Sequence, residues 1–256
     1  SQAISRLSNL IRQLNVRYNP FAIFLNISML WDLRYVRQLE IWKEEWRELM
    51  PSWFDALKEF EALSSFGTLW YNNPDWVMPQ IQDTQVLDGV ALGHPLIAAD
   101  KRITNDFHSP VRGHIKLVTG SNMAGKSTFL RTLGVNMVLG SVGSPICATY
   151  ANIAPLQVIV SMRQTDSLKD NESYFFAEIK RLKQIMEEVK KDNCFVLLDE
   201  ILRGTNSEDK QQGTIKVIEK LISKNARGII ATHDLKVCET SDKYPKHLTN
   251  KCFEVE

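Results

Sequence analysis

The chain of 256 residues contains 44% apolar and 24% charged residues with only 12 glycines and 9 prolines, which indicates a folded globular protein and excludes long disorder. The formal net charge is +1, but residues 101–256 carry 23 Lys/Arg against 18 Asp/Glu, whereas residues 1–100 carry 8 against 12. This mild basic excess suits a polyanionic ligand and is too small for a basic nucleic-acid patch. The four cysteines form no CxxC pair and no metal-ligand spacing with the histidines, which indicates free thiols in a reducing cytoplasm.

Residues 1–66 carry apolar residues at helical spacing and are predicted to form two to four packed helices, a smaller N-terminal α-helical subdomain. The apolar stretch Pro20 to Trp31 is shorter than the ~20 residues that cross a bilayer, so we expect no membrane contact from this segment. Residues 67–114 are richer in Gly, Pro, Asn and Asp, which predicts connecting loops and short strands.

Residues 115–256 alternate between strand and helix patterns. The runs "IKLVT", "CFVLLDE" and "GIIATH" are typical of buried parallel strands. Helices are predicted at Lys126 to Gly140, Ser173 to Lys191 and Lys210 to Ser223. This alternation predicts an α/β domain with a parallel-rich sheet covered by helices on both faces.

The segment "GSNMAGKS" fits the G-x-x-x-x-G-K-S/T phosphate loop and lies between a predicted strand and a predicted helix, as that loop requires. Backbone N–H groups of such a loop converge on phosphate oxygens, and the helix adds its positive dipole end. Lys126 would reach the β and γ phosphates, and the Ser127 hydroxyl would ligate Mg²⁺. The predicted nucleotide-binding residues are Gly120, Ser121, Asn122, Met123, Ala124, Gly125, Lys126, Ser127 and Thr128.

Two further predicted strands end in polar residues. "FVLLDE" delivers Asp199 and Glu200 to the carboxyl edge of the sheet, where ligands bind in open α/β folds. Asp199 suits the coordination of Mg²⁺, and Glu200 suits a general base for the attacking water. His233 ends "GIIATH" and is placed to hydrogen-bond the γ-phosphate or the water. Lys126, Glu200 and His233 are therefore the predicted catalytic residues.

The segment "DNESYFFAEIKRLKQIMEEVK" predicts an amphipathic helix whose first turn, around Asn171 and Ser173, is exposed with free N–H groups. Such a turn either forms an ordinary N-cap or, in a dimer, binds the γ-phosphate held by the other subunit, with Ser173 acting in trans. The apolar face predicted to pack on the domain consists of Phe175, Phe176, Ile179, Leu182, Ile185, Met186 and Val189.

Several motifs in one order resemble the ATPase domain of MutS-type DNA mismatch-repair proteins. They are "GHPLI", "ITNDF", "TGSNMAGKST", "ESYFFAEI", "LLDEILRGTNSED" and "ATHD", which together cover Gly93 to Asp234. The helices of residues 3–66 resemble part of the core and lever region that precedes that domain. The resemblance implies an ABC-like P-loop fold with ATP and Mg²⁺ as ligands.

The resemblance also implies residue roles. It assigns triphosphate and Mg²⁺ binding to Asn122, Lys126 and Ser127. It assigns the metal and the attacking water to Asp199 and Glu200.

It further implies that His233 senses the γ-phosphate and that Ser173 reaches into the partner's site, so that a homodimer carries composite ATP sites. DNA is the implied partner of the full-length protein. The chain has no segment with the length of the family's mismatch-reading domain, and we expect a fragment or a divergent relative. Phe176-Ala177-Glu178 matches the family's Phe-x-Glu wedge superficially, but its helical context predicts core packing instead.

Three positions depart from the family pattern. Leu202 and Lys210 stand where glycine is usual, and Arg102 stands where an aromatic ring stacks on adenine. These departures leave the base preference and the rate of hydrolysis open.

Other functions remain open from the sequence. An ABC-type transporter ATPase predicts an LSGGQ-like segment before the acid pair, and "DNESYFF" is not one. A small-molecule kinase predicts an arginine-rich lid. A nucleotide-responsive dimer switch with slow hydrolysis would use the same site without rapid turnover.

Overall fold

The computed structural model describes residues 2–82, 87–121, 123–162, 174–189 and 194–253. The chain divides into two compact units, Ser1–Thr68 and Leu69–Glu256. The described helices are α1 (Gln2–Leu14), α2 (Ala22–Met29), α3 (Trp31–Trp46), α4 (Met50–Asn72), α5 (Lys126–Ser141), α6 (Tyr174–Glu188), α7 (Ser207–Ser223), α8 (Leu235–Cys238) and α9 (Thr240–Lys243). The described strands are β1 (Gln80–Ile81), β2 (Leu87–Leu92), β3 (Asn105–His108), β4 (Ile115–Gly120), β5 (Tyr150–Ile153), β6 (Gln157–Ser161), β7 (Cys194–Asp199), β8 (Gly228–Ala231) and β9 (Leu248–Phe253).

The first unit is helical. Trp42 of α3 is buried, and its indole N–H donates to the carbonyl of Ala3 in α1 at 3.0 Å, so the aromatic body packs while its polar group is satisfied. Leu30 adopts a left-handed conformation (φ 51°) and turns the chain sharply between α2 and α3. The Asn26 side chain accepts from the Asp32 amide at 2.8 Å, which stabilises the start of α3.

The second unit is built on a five-stranded, fully parallel sheet with the spatial order β6-β7-β8-β4-β9. Every residue of β7 and β8 is buried, which explains why these strands read as continuous apolar runs. A smaller mixed sheet has the order β1-β5-β2-β3. The predicted α/β fold with a parallel-rich sheet and an N-terminal helical subdomain is confirmed.

Two apolar cores cover the two faces of the parallel sheet. Side chains of β7 alternate between them: Phe195 and Leu197 face α5 and the smaller sheet, whereas Val196 and Leu198 face α6 and α7. The central strands of the sheet are therefore shielded from water on both faces, and the ends of these strands are available to bind a ligand.

The structure corrects the predicted apolar face of α6. Leu182, Ile185 and Val189 are buried in the core, but Phe175, Phe176 and Ile179 are 36%, 57% and 40% exposed. The helix buries only its C-terminal part on the sheet, and its first turns extend beyond that contact. The prediction that Phe176-Ala177-Glu178 packs in the core is therefore wrong.

Among the described residues, no helix is both long enough and apolar enough to cross a membrane. All four cysteines are free thiols, as the sequence predicts.

Candidate active site

The segment after β4 has the backbone of a phosphate-binding loop. Gly120, Met123 and Gly125 have φ values of 144°, 71° and 84°. A side chain at Gly120 would also collide with the carbonyl oxygen of Phe253 in β9, at 2.4 Å from the added Cβ, so glycine is required there on two counts. Asn122 lies outside the described residues. The loop leads directly into α5, whose cap residue Gly125 provides no side-chain hydrogen bond to the first-turn amides.

Lys126, the first residue of α5, is only 5% exposed. Its ammonium donates hydrogen bonds of 2.7 Å to the carbonyl oxygens of Gly120 and Ser121. The positive charge is therefore held against the loop itself. Ser127 is half-buried and Thr128 is exposed in the first turn of the helix, and Ala124 lies in the turn before it.

Three strand ends meet at this edge of the sheet. Strand β8 lies between β4 and β7, and its last residue, Ala231, pairs with Val118 of β4 and with Asp199 of β7. Two strand spacings separate β4 from β7, or roughly 10 Å. The Glu200 amide donates to the Ala231 carbonyl at 2.9 Å, and Asp199 is level with Val118, two residues before the end of β4. The carboxylates and the phosphate loop therefore lie at the same edge of the sheet.

Asp199 has the properties of a cation ligand. It is 5% exposed, and its Oδ1 is buried without a hydrogen-bond partner among the described residues. Its Oδ2 lies 3.8 Å from the guanidinium of Arg203. The described residues contain no group of three or more His, Cys, Asp or Glu side chains that could hold a metal ion. This donor set fits Mg²⁺, which proteins often bind through one or two carboxylates together with substrate phosphates.

Both carboxylate oxygens of Glu200 have cationic or donor partners. Its Oε1 lies 3.1 Å from Nδ1 of His233, and its Oε2 lies 3.2 Å from the guanidinium of Arg203. Burial raises the pKa of Glu200, but the His233 hydrogen bond and the charges of Arg203, His233 and Lys210 outweigh it, and the pKa lies below its usual value. Glu200 is therefore ionised at neutral pH, as a general base must be.

Two further residues, Arg203 and Glu178, contact this site, and no sequence motif indicates these contacts. Besides contacting the acid pair, Arg203 donates from Nε to the Glu200 carbonyl at 2.8 Å. Glu178 of α6 accepts the backbone N–H groups of Leu202 and Arg203 at 2.7 and 3.0 Å. Glu178 follows two phenylalanines in the sequence, and nothing in that local pattern indicates a contact with residues 24 and 25 positions away.

The structure gives a physical context for two of the three departures. Leu202 has φ 60°, a conformation that favours glycine, and its side chain is buried against α7, where Gly213 leaves room for it. Lys210, at the start of α7, adds to the positive potential that lowers the pKa of Glu200. Neither substitution removes the acid pair from the edge of the sheet.

Arg102 is held by its own surroundings. Its Nε and Nη2 donate to the Ile97 carbonyl at 3.0 and 2.7 Å, and its guanidinium lies 5.7 Å from the ring centroid of Trp76. A planar cation therefore occupies the position for which the family pattern predicts an aromatic ring.

Comparison with known proteins decides the family. The sequence model described as MutS domain V matches residues 116–256. The chain belongs to the MutS family. Domain V of MutS is a P-loop ATPase domain, in agreement with the fold and with the motifs quoted above.

Individual MutS relatives cover more of the chain. It is 33% identical over 204 residues to the DNA mismatch repair protein MutS of Ehrlichia ruminantium (strain Gardel), which is 78% of this chain and 25% of the relative. It is 31% identical over 186 residues to the human MutS protein homolog 4, which is 71% of this chain and 19% of the relative. It is 29% identical over 201 residues to MSH3 of Phaeosphaeria nodorum, which is 76% of this chain and 18% of the relative. The chain thus matches about a quarter or less of the length of these relatives.

Proposed function

We propose that this chain binds ATP with Mg²⁺ at the carboxyl edge of the parallel sheet and hydrolyses it, within a MutS-type protein that acts in DNA mismatch repair. One observation carries the proposal. The phosphate loop leaves β4 beside β8, and the buried acid pair leaves β7 on the other side of β8. The proposed phosphate site and the proposed metal and base site therefore share one edge.

The proposed nucleotide contacts come from the loop and the first turn of α5. Lys126 exchanges its two loop carbonyls for the β and γ phosphate oxygens, which are stronger, charged acceptors. Ser127 and Asp199 would hold Mg²⁺, and the Asp199 oxygen that has no hydrogen-bond partner among the described residues supports that role. The remaining proposed binding residues are Gly120, Ser121, Asn122, Met123, Ala124, Gly125 and Thr128.

Glu200 is the proposed general base. Its ionised carboxylate takes a proton from the water that attacks the γ-phosphorus, and the bond to the β-phosphate oxygen breaks. His233 orients the Glu200 carboxylate through their 3.1 Å contact and would sense the γ-phosphate. Bound Mg²⁺ would supply charge neutralisation at the phosphates.

Partners are expected from the family. Two copies would form a homodimer in which Ser173, which lies outside the described residues, completes the partner's ATP site. The full-length protein would bind DNA in the cytoplasm, and residues 1–66 would correspond to part of the core and lever region. Family membership supports these partners.

The test measures nucleotide affinity with a fluorescent ATP analogue and ATP turnover without DNA and with duplex, mismatched and branched DNA. Lys126→Ala removes two charge-assisted donors and should weaken binding at least ~100-fold. Glu200→Gln should retain binding, lower turnover on the order of 100-fold or more, and trap a triphosphate-bound dimer. Lys216→Ala, an exposed lysine on α7, is the control and should change neither quantity.

The outcomes separate the parts of the proposal. Unchanged affinity in Lys126→Ala would contradict the phosphate loop. Tight binding without turnover in the wild type would favour a nucleotide-responsive dimer switch. Equal turnover with every DNA would remove the DNA role and leave the ATP site intact.

A further inference from the structure

Helix α6 is attached to the segment that follows the acid pair. The two oxygens of Glu178 each accept one backbone N–H, from Leu202 at 2.7 Å and from Arg203 at 3.0 Å. Two consecutive amides on one carboxylate fix both the position and the direction of the segment, because charge-assisted hydrogen bonds to paired donors are strong and directional.

The segment needs such support. Glu200 and Leu202 have φ values of 46° and 60°, a region that residues with a side chain adopt only when their surroundings enforce it. A second contact lies one residue beyond the clamped amides, where a Cβ added to Gly204 would come within 2.9 Å of the Phe175 Cβ. The first turns of α6 therefore contact the acid-pair segment at two points.

The segment held by Glu178 also contacts Glu200, the proposed general base. Arg203, whose amide is held by Glu178, donates from its side-chain Nε to the Glu200 carbonyl at 2.8 Å and places its guanidinium 3.2 Å from Glu200 Oε2. Because His233 contacts the other carboxylate oxygen, the orientation of the Glu200 carboxylate depends on the position of the Arg203 backbone.

We propose that Glu178 is a positioning residue for Glu200: by holding the amides of Leu202 and Arg203, it sets the Arg203 contact that aims the Glu200 carboxylate. This inference rests on the proposed function, because a positioned base matters only where a reaction uses it. In this role Glu178 acts through the backbone of Leu202 and Arg203. A misplacement of about 1 Å in a reacting group can cost on the order of 100-fold in rate.

The test compares Glu178→Gln with Glu187→Gln in the full chain. Glutamine keeps the size of the side chain and one acceptor oxygen, but its amide NH₂ would face the second backbone N–H. Glu187 lies on the same helix and is exposed, so the same substitution there is the matched control.

The first measurement is independent of turnover. Nuclear magnetic resonance of the ¹⁵N-labelled protein follows hydrogen exchange of the Leu202 and Arg203 amides and the Arg203 Nε–H signal. In Glu178→Gln both amides should exchange at least about tenfold faster and the Nε–H signal should shift or disappear, since loss of one backbone bond releases the segment. The β7 amides should retain their protection, and Glu187→Gln should match the wild type.

The second measurement separates turnover from binding. In Glu178→Gln the kcat should fall about 10- to 100-fold while the Kd for a fluorescent ATP analogue stays within about twofold, as expected when a supporting contact to a reacting group is lost. A purely structural role predicts an unchanged kcat per folded molecule.

Unchanged exchange, or accelerated exchange with unchanged kcat, overturns the proposal. A weaker Kd with unchanged kcat also overturns it, because Glu178 would then serve binding. If the wild type shows no turnover, the hydrolysis proposed above fails by itself. The Arg203 Nε–H signal then decides, since its persistence in Glu178→Gln refutes the positioning and its loss supports it.

Discussion

Replacing Gly213 of α7 by alanine tests how Leu202 is accommodated. The added Cβ would lie 2.4 Å from Cδ1 of Leu202, far inside the ~3.5–4.0 Å of an ordinary carbon contact. Because Leu202 is 4% exposed, it has little room to move. Overpacking of this kind costs about 1–3 kcal/mol, and the better helix propensity of alanine returns about 1 kcal/mol. We expect Gly213→Ala to destabilise the protein by about 1 kcal/mol.

The effect of Gly213→Ala on the free energy of unfolding should change sign when Leu202 is shortened to alanine. In a Leu202→Ala background the colliding methyl is gone, so Gly213→Ala should stabilise by about 1 kcal/mol through helix propensity alone. The two sites are then coupled by about 2 kcal/mol, within the range measured for residues in contact. Leu202→Ala by itself should cost about 2–5 kcal/mol because it leaves a cavity.

Urea unfolding followed by circular dichroism measures all four variants of this cycle. Gly67→Ala in α4 is the control, because a Cβ added there would meet no heavy atom of the described residues within 4 Å beyond its chain neighbours and the adjacent helix backbone, and it should stabilise its helix in both backgrounds. If Gly213→Ala stabilises the wild type as much as the Leu202→Ala variant, the proposed packing of Leu202 over Gly213 is refuted.

Further expectations concern the core, the thiols and pH. Asn136→Ala should lower the free energy of unfolding by about 2–5 kcal/mol, because it leaves the buried Gly93 carbonyl and Cys147 N–H without the hydrogen bonds that the side chain makes to them. A loss below about 1 kcal/mol in urea unfolding would contradict this account. Burial raises the pKa of Cys238 to about 11, so iodoacetamide at pH 8 should label the exposed Cys252 first, and equal labelling by mass spectrometry would disprove the burial. Because the pKa of Glu200 is lowered on folding, its ionised form stabilises the protein at pH values above the ordinary glutamate pKa, and this stability is lost as the pH falls through the folded-state pKa. The difference in unfolding free energy between the wild type and Glu200→Gln should therefore shrink in acid. A difference that stays constant with pH would contradict the His233 and Arg203 contacts.

The sequence predicts the strands and helices that have strong local patterns. Strands β4, β7 and β8 are apolar because both faces of the sheet are covered, and the phosphate loop is marked by its glycines. Strand β9 was not predicted. Apart from Leu248 at its start, it is largely exposed and polar, and it is a strand because its backbone pairs with β4 at the edge of the sheet.

The candidate site likewise contains some residues that the sequence predicts and others that it does not. The positions of Asp199, Glu200 and His233 at the edge of the sheet are predictable because each lies at, or within two residues after, the end of a recognisable strand. The Glu178 and Arg203 contacts are not, because they depend on the left-handed backbone after β7 and on where the start of α6 lies. Helical periodicity likewise gives the direction of an apolar face without showing how far along the helix a neighbour covers it, which accounts for the exposed Phe176.

The two loop carbonyls around the Lys126 ammonium bear on how tightly a nucleotide can be held. A buried cation that already has acceptors does not gain the full strength of a phosphate bond when ligand arrives; it gains only the difference between two sets of partners. At the proposed ATP site, affinity would be correspondingly moderated, and departure of the spent ligand would be eased because the ammonium has acceptors to return to. A lysine held in this way would favour repeated nucleotide exchange over permanent binding.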